Sequence, residues 1–212
     1  MAGTVSSLDV RHDGTMDHGS AGLARTLRDL GLWRNLPSDE ADAEQRRVAE
    51  GGYPFGLFGE PGETWFLVDS EEMAEGRAPE MLGAMAAALR AYGIDLIVET
   101  VSRPMRIEDG DYIISINGRN CLMWSPVDWA GYHSWVTATV RPLAVINDLL
   151  AGVRATERLF AHYPGGNEAV ALLLDPRIVT AVEATGRFKD IPQRPTIPQS
   201  TRLPPDAPVI FL

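Results

Sequence analysis

An α+β fold, with a largely antiparallel sheet built from hairpins and helices covering it, follows from three features of the chain. Two runs of apolar and β-branched residues flank Asn117-Gly118, the pairing that best accepts the positive φ of a type I′ turn. A second pair of runs, Arg158 to Tyr163 and Ala169 to Leu174, flanks Pro164-Gly165-Gly166-Asn167. Its latter member is apolar on both faces, as a central strand is. Elsewhere apolar residues recur at helical spacing, first at Leu23, Leu27 and Leu30, then at Leu82, Met85, Leu89 and Tyr92.

Residues 1–20 mix Gly, Ser, Asp and two histidines with no apolar period, and are expected to form a flexible arm. The globular domain is expected over 21–186. Its first helix takes Ser20 as N-cap and stops at Gly31; a second, very acidic helix runs from Ser38 to Glu50, before Gly51-Gly52, with little to bury. Tyr53 to Asp69 reads as a hairpin turning at Glu60-Pro61-Gly62-Glu63. A third helix is expected from Pro79 to Tyr92, then a strand from Ile94 to Val101. The Asn117-Gly118 turn sets Ile116 against Arg119, Ile114 against Cys121 and Tyr112 against Met123 on one core-facing side.

Ser125-Pro126-Val127-Asp128 has the order of a cap, an N1 proline and a helical turn. Trp135 to Val140 suits either strand or helix, and Pro142 suits the first turn of the helix that follows. Asp175-Pro176 opens a closing helix to about Thr185. Six prolines between Pro192 and Pro208 mark 187–212 as an extended Pro-rich tail, ending in the apolar Val209-Ile210-Phe211-Leu212.

The net charge of -10 argues against nucleic acid as a partner and against an anionic membrane surface, since both demand basic surface. One cysteine gives no internal disulfide, no apolar run reaches membrane-spanning length, and the first residues lack the order of a secretion signal. A soluble cytoplasmic protein is expected. Twelve carboxylates against three arginines lie between Asp39 and Glu80, so nearly the whole imbalance sits in one stretch. They are expected to form one acidic face that steers a basic protein partner, with Glu60, Glu63, Glu71, Glu72 and Glu75 in it. Trp33, Trp129, Tyr132 and Trp135 are the candidate aromatic anchors.

Catalytic chemistry has weaker footing. Asp128 and His133 could be the acid and imidazole of a hydrolytic site, with Glu168 nearby, but no G-x-S-x-G occurs and Ser134 lacks an elbow. Cys121 falls on the apolar strand face, away from any thiolate pair with His133. His12, His18, His133 and His162 are scattered, so neither a metal site nor a cofactor is expected. The expected function is therefore that of a non-catalytic acidic binding protein with the physique of bacterial immunity proteins and inhibitors. The alternatives are a hydrolase-like enzyme near Asp128 and His133, or a component of a larger assembly docking through its tail.

Overall fold

In the computed structural model, which describes residues 18–57 and 59–196, two three-stranded antiparallel sheets alternate with helices. The chain opens with α1 (His18–Asp29) and α2 (Ser38–Ala49), then enters β1 (Trp65–Leu67). A broken helix follows as α3 (Ser70–Glu72), a wide π-type turn over Met73–Arg77, α4 (Ala78–Gly83) and α5 (Ala86–Arg90). Next come β2 (Val98–Ser102), β3 (Tyr112–Ile116), β4 (Arg119–Trp124), α6 (Pro126–Ala130) and the long α7 (Ser134–Gly152). The hairpin β5 (Arg158–His162) and β6 (Val170–Leu174) leads to α8 (Pro176–Glu183).

The first sheet has the order β1-β6-β5 and the second β2-β3-β4. All five residues of β6 are buried, which its two-faced apolar sequence requires of a central strand. One face of the first sheet (Phe160, Val170, Leu172, Leu174) packs on α1 and α8 through Leu23, Leu27, Ile178 and Val182. The other face (Phe66, Leu159, Ala161, Ala171, Leu173) shares a core with Leu82, Met85 and Leu89, with Leu143 and Ile146 of α7, and with Tyr112, Ile114 and Met123 of the second sheet. Helix α7 is the wall between the sheets, and residues 141–147 are buried without interruption.

The polar groups of α7 are satisfied one by one, as low-dielectric burial demands. Thr139 Oγ1 donates to Ser70 Oγ at 2.8 Å, and Ser70 Oγ accepts from Gly165 N–H at 2.9 Å. Asn147 acts as a one-residue strand: its Nδ2 donates to the Leu159 carbonyl at 2.9 Å and its Oδ1 accepts from Leu159 N–H at 2.7 Å.

Several expectations are corrected. Ser20 lies inside α1, which starts at His18. Helix α2 does bury a seam, Ala41 and Val48. The hairpin over Tyr53–Asp69 does not form: Pro54 and Gly56 break its first half, and β1 pairs with β6 instead, Phe66 opposite Ala171. The third helix starts at Ser70, because the Asp69 carboxylate accepts from Glu71 and Glu72 N–H at 3.0 and 3.1 Å. Strand β2 starts late, at Val98, because the Asn117 side chain occupies the Ile97 N–H and the Asp95 carbonyl. A bulge shifts Tyr112 from Met123 to Trp124, while the other two cross-strand pairs stand as expected.

Trp135 to Val140 is helical, so Pro142 sits inside α7 and not in a first turn. An internal proline costs about 3 kcal/mol, and burial on both sides of the helix offsets it. The tail passes β5 with Gln193 paired to Ala161, and Pro192 and Pro195 are buried. Residues 1–17 of the expected arm and 197–212 of the tail, with the apolar end, lie outside the described residues.

Truncating Asn147 to Ala leaves the Leu159 N–H and C=O buried without partners. Urea unfolding is expected to show a loss of about 2–4 kcal/mol; a loss below about 0.5 kcal/mol would contradict the strand-like role of this side chain.

Candidate functional site

The aromatic corner between β4 and α7 is held by Asp128. Ser125 and Asp128 form a reciprocal capping box on α6, with the Ser125 N–H donating to Asp128 Oδ2 at 2.9 Å. Arg141, buried on α7, then clamps both carboxylate oxygens at 2.8 and 3.0 Å. Burial alone would raise the Asp128 carboxyl, but the Arg141 guanidinium and the Ser125 donors together hold it below the usual aspartate range. His133 meets Asp128 only through its backbone N–H, which donates to the Asp128 carbonyl at 2.8 Å. The aspartate is thus committed to structure and does not orient the imidazole.

Trp124 donates its indole N–H to the Ala74 carbonyl at 2.9 Å and packs at 5.5 Å from Trp129. Trp129 and Trp135 are half-buried against the main core, so little of either is free to anchor a partner. Tyr132, at 94% exposure and with φ +58°, stands outside the corner beside exposed His133. Trp33 is 2% exposed and belongs to the α1–α8 core, which removes it as a docking anchor. Cys121 is buried on the second sheet, and burial pushes its thiol up to about 12, far from a reactive thiolate.

The acids of 39–80 do not gather on one face. Those of α2 ride on the layer that covers one side of the first sheet, and Glu71, Glu72, Glu75 and Glu80 ride on the helices covering the other. Several are already partnered: Asp42 by Arg28 at 2.9 Å, Glu44 by Arg47 at 2.5 Å, and Glu72 and Glu80 both by Arg77. The expected single steering surface is therefore divided, because the chain between the two groups crosses the sheet as β1.

A different site opens at the uncovered end of the first sheet. Helices α1 and α8 cover the end carrying Phe160, Leu172 and Leu174, leaving the row Leu67–Val170–His162 to a cleft of about 730 Å³. Its walls are Tyr53, Phe55, Leu57, Pro61, Trp65 and Tyr163. The failed hairpin explains this wall, since the aromatic run that cannot pair as a strand lays its side chains over the sheet end instead. Leu57, Leu67 and Tyr163 each remain about half exposed. Tyr163 is positioned by a strained turn (φ +53°) whose Gly165 packs on α7, where an added Cβ would come within 2.6 Å of Val136 Cγ2.

The polar groups of the cleft are few. The imidazole of His162 stacks on Tyr53 and meets the tilted ring of Tyr163, and burial lowers its pKa, with the Asp190 carboxylate only partly opposing. Tyr53 donates its hydroxyl to the Asp190 backbone carbonyl, and burial holds its phenol well above the tyrosine range. Glu168 lines the rim, as does Asn167, which donates to the Glu71 carboxylate at 2.9 Å. Glu60 precedes the wall residue Pro61 in the chain, and no lysine or arginine lines the cleft among the described residues. Nor, among the described residues, does any serine, threonine or cysteine. Chemically, this is an apolar seat with one carboxylate, Glu168, at its rim.

Of the sequence candidates, the structure brings Glu168 to this rim and sets Glu71 one hydrogen bond behind it, through Asn167. The Glu63 carboxylate accepts from the Asn35 amide at 3.5 Å, and Glu75 is exposed on the π-type turn. The essential wall residues were not legible as a site, although the Tyr53-Pro54-Phe55-Gly56-Leu57 run, aromatic yet broken by Pro and Gly, was the available signal. No group of metal-ligating side chains occurs among the described residues, nor a helix long and apolar enough to cross a membrane. No family model matches the chain, and neither a curated protein nor a solved structure matches it.

Asp128→Asn should cost about 3 kcal/mol or more, by leaving Arg141 buried without its charge, whereas His133→Ala should stay within about 0.5 kcal/mol. In the native chain the Asp128 contribution is full above the unfolded aspartate pKa of about 3.9 and is lost as pH falls through the lower folded value. Chemical denaturation of the variants across that range checks both; equal losses at the two sites would contradict the assignment.

Proposed function

We propose that this chain is a non-catalytic binding protein that occupies a basic protein partner, in the manner of bacterial immunity proteins and inhibitors. The observation that carries the reading is the cleft at the end of the first sheet. It has a volume of about 730 Å³, exposes Leu57, Leu67 and Tyr163, and carries one carboxylate, Glu168, and no cation among its described lining residues.

The net charge of -10 supports the same partner chemistry by long-range attraction, although the divided acids make this a general field and not a single steering face. Affinity would come from apolar side chains seated against Tyr163, Leu67 and Trp65. Specificity would come from cations meeting Glu60, Glu71 and Glu168. The commitment of Asp128 to Arg141 favours binding over hydrolysis at the aromatic corner.

The test is affinity capture from the cell of origin with the full-length chain against its Leu57→Glu/Tyr163→Glu variant. The expected result is a basic protein retained by the native chain, released by raised salt and absent from the variant. Identical capture by both chains, or no basic protein on the native one, contradicts the proposal.

A further inference from the structure

The two edges of the first sheet are treated differently. On β5 the outward-facing backbone groups are all taken. Leu159 is paired by the Asn147 amide, and Ala161 exchanges both hydrogen bonds with Gln193, at 2.8 and 2.7 Å. That edge is closed by a helix side chain and by the tail.

On β1 the ladder geometry fixes which groups face out. Val68 N–H donates to the Ala169 carbonyl and Leu173 N–H to the Thr64 carbonyl, at 2.9 and 2.8 Å. Antiparallel alternation then makes Phe66 the residue that exchanges bonds with Ala171, and turns the backbone of Trp65 and Leu67 outward. The Trp65 carbonyl is taken by Gly62 N–H at 2.9 Å. The Leu67 N–H and C=O have no partner among the described residues, and the Leu67 side chain is 52% exposed beside the cleft. No lysine, proline or bulge guards the three residues of this strand.

We propose that β1 is a strand-addition site: an extended segment of the basic partner pairs antiparallel with Leu67 as a fourth strand of the first sheet. The residue opposite Leu67 exchanges both backbone bonds with it, and its side chain and those two positions away share the cleft face. Those positions are apolar. Carboxylates stand at both ends of β1, Glu60 and Glu63 before it, and Glu71 and Glu168 at the Leu67 end, where β6 begins. The segment therefore carries cations at both ends. A second copy of this chain is disfavoured as the occupant, because it would set these carboxylates against one another on a protein of charge -10. The inference rests on the binding-protein reading and specifies how the partner is held.

The probe is a synthetic peptide, acetyl-KKLTLTLKK-amide, titrated against the full-length chain by calorimetry. Its leucines face the cleft and their amides face β1, while the threonine amides face away. N-methylation of the leucine amides is expected to weaken binding at least ten-fold, and N-methylation of the threonine amides to leave it within about two-fold. Leu67→Pro deletes the outward N–H without touching the Phe66–Ala171 pair and is expected to match the leucine-methylated loss; the two methylated peptides decide the matter even where that variant misfolds. Equal binding of both methylated peptides overturns strand pairing but leaves the basic-partner reading standing. No binding of any of the three peptides overturns both, and a dimer of the chain that Leu67→Pro dissolves overturns the choice of occupant.

Discussion

Helix α7 is the constraint on which the structure depends. It is sealed between two sheets over residues 141–147, so each polar group it carries must find a fixed partner or cost more than a single contact returns. Arg141 takes Asp128 and so anchors α6 and the aromatic corner. Thr139 takes Ser70, which in turn holds the β5–β6 turn through Gly165. Asn147 takes Leu159 and closes one sheet edge. Three side chains on one helix thus set the positions of α3, α6 and β5.

The location of the cleft follows from that arrangement. With α7 filling one face of the first sheet and α1 and α8 filling part of the other, only the Leu67–Val170–His162 end is left to loop side chains. Loops held on a rigid sheet are where binding surfaces commonly lie. The aromatic wall from Tyr53 to Leu57 is therefore a substitute for a missing helix, with Phe55 buried and Leu57 about half exposed. The corner around Trp129, by contrast, is largely consumed by packing, with Val127, Tyr132 and His133 exposed on it.

Much of the fold was legible because local chemistry and global packing agree. Asn117-Gly118 set the β3–β4 pairing, Ser125-Pro126-x-Asp128 produced its capping box, and the two-faced run at 169–174 became the central strand. Failures occurred where tertiary contacts outweighed local pattern. Pro142 suited a first helical turn, but Trp135 to Val140, which suited either strand or helix, is helical and places that proline inside α7. The run at 55–57 has β-forming residues, but β6 has room for one partner on that side and takes Trp65–Leu67. The site was less legible than the fold. A dense acidic stretch suggests one face, but sequence proximity says nothing of the sheet that the chain crosses between α2 and α3. The open edge at Leu67 depends on which backbone groups other segments occupy, and no residue pattern records that.

One edge of the first sheet has its outward backbone groups partnered, and on the other the Leu67 N–H and C=O have no partner among the described residues. Amide hydrogen exchange on the full-length chain measures this directly. Strong protection is expected at Leu159, Ala161 and Phe66, with Leu67 exchanging at close to the rate of an exposed loop amide. Protection at Leu67 equal to that at Ala161 would mean that the β1 edge is already occupied, and would contradict the account.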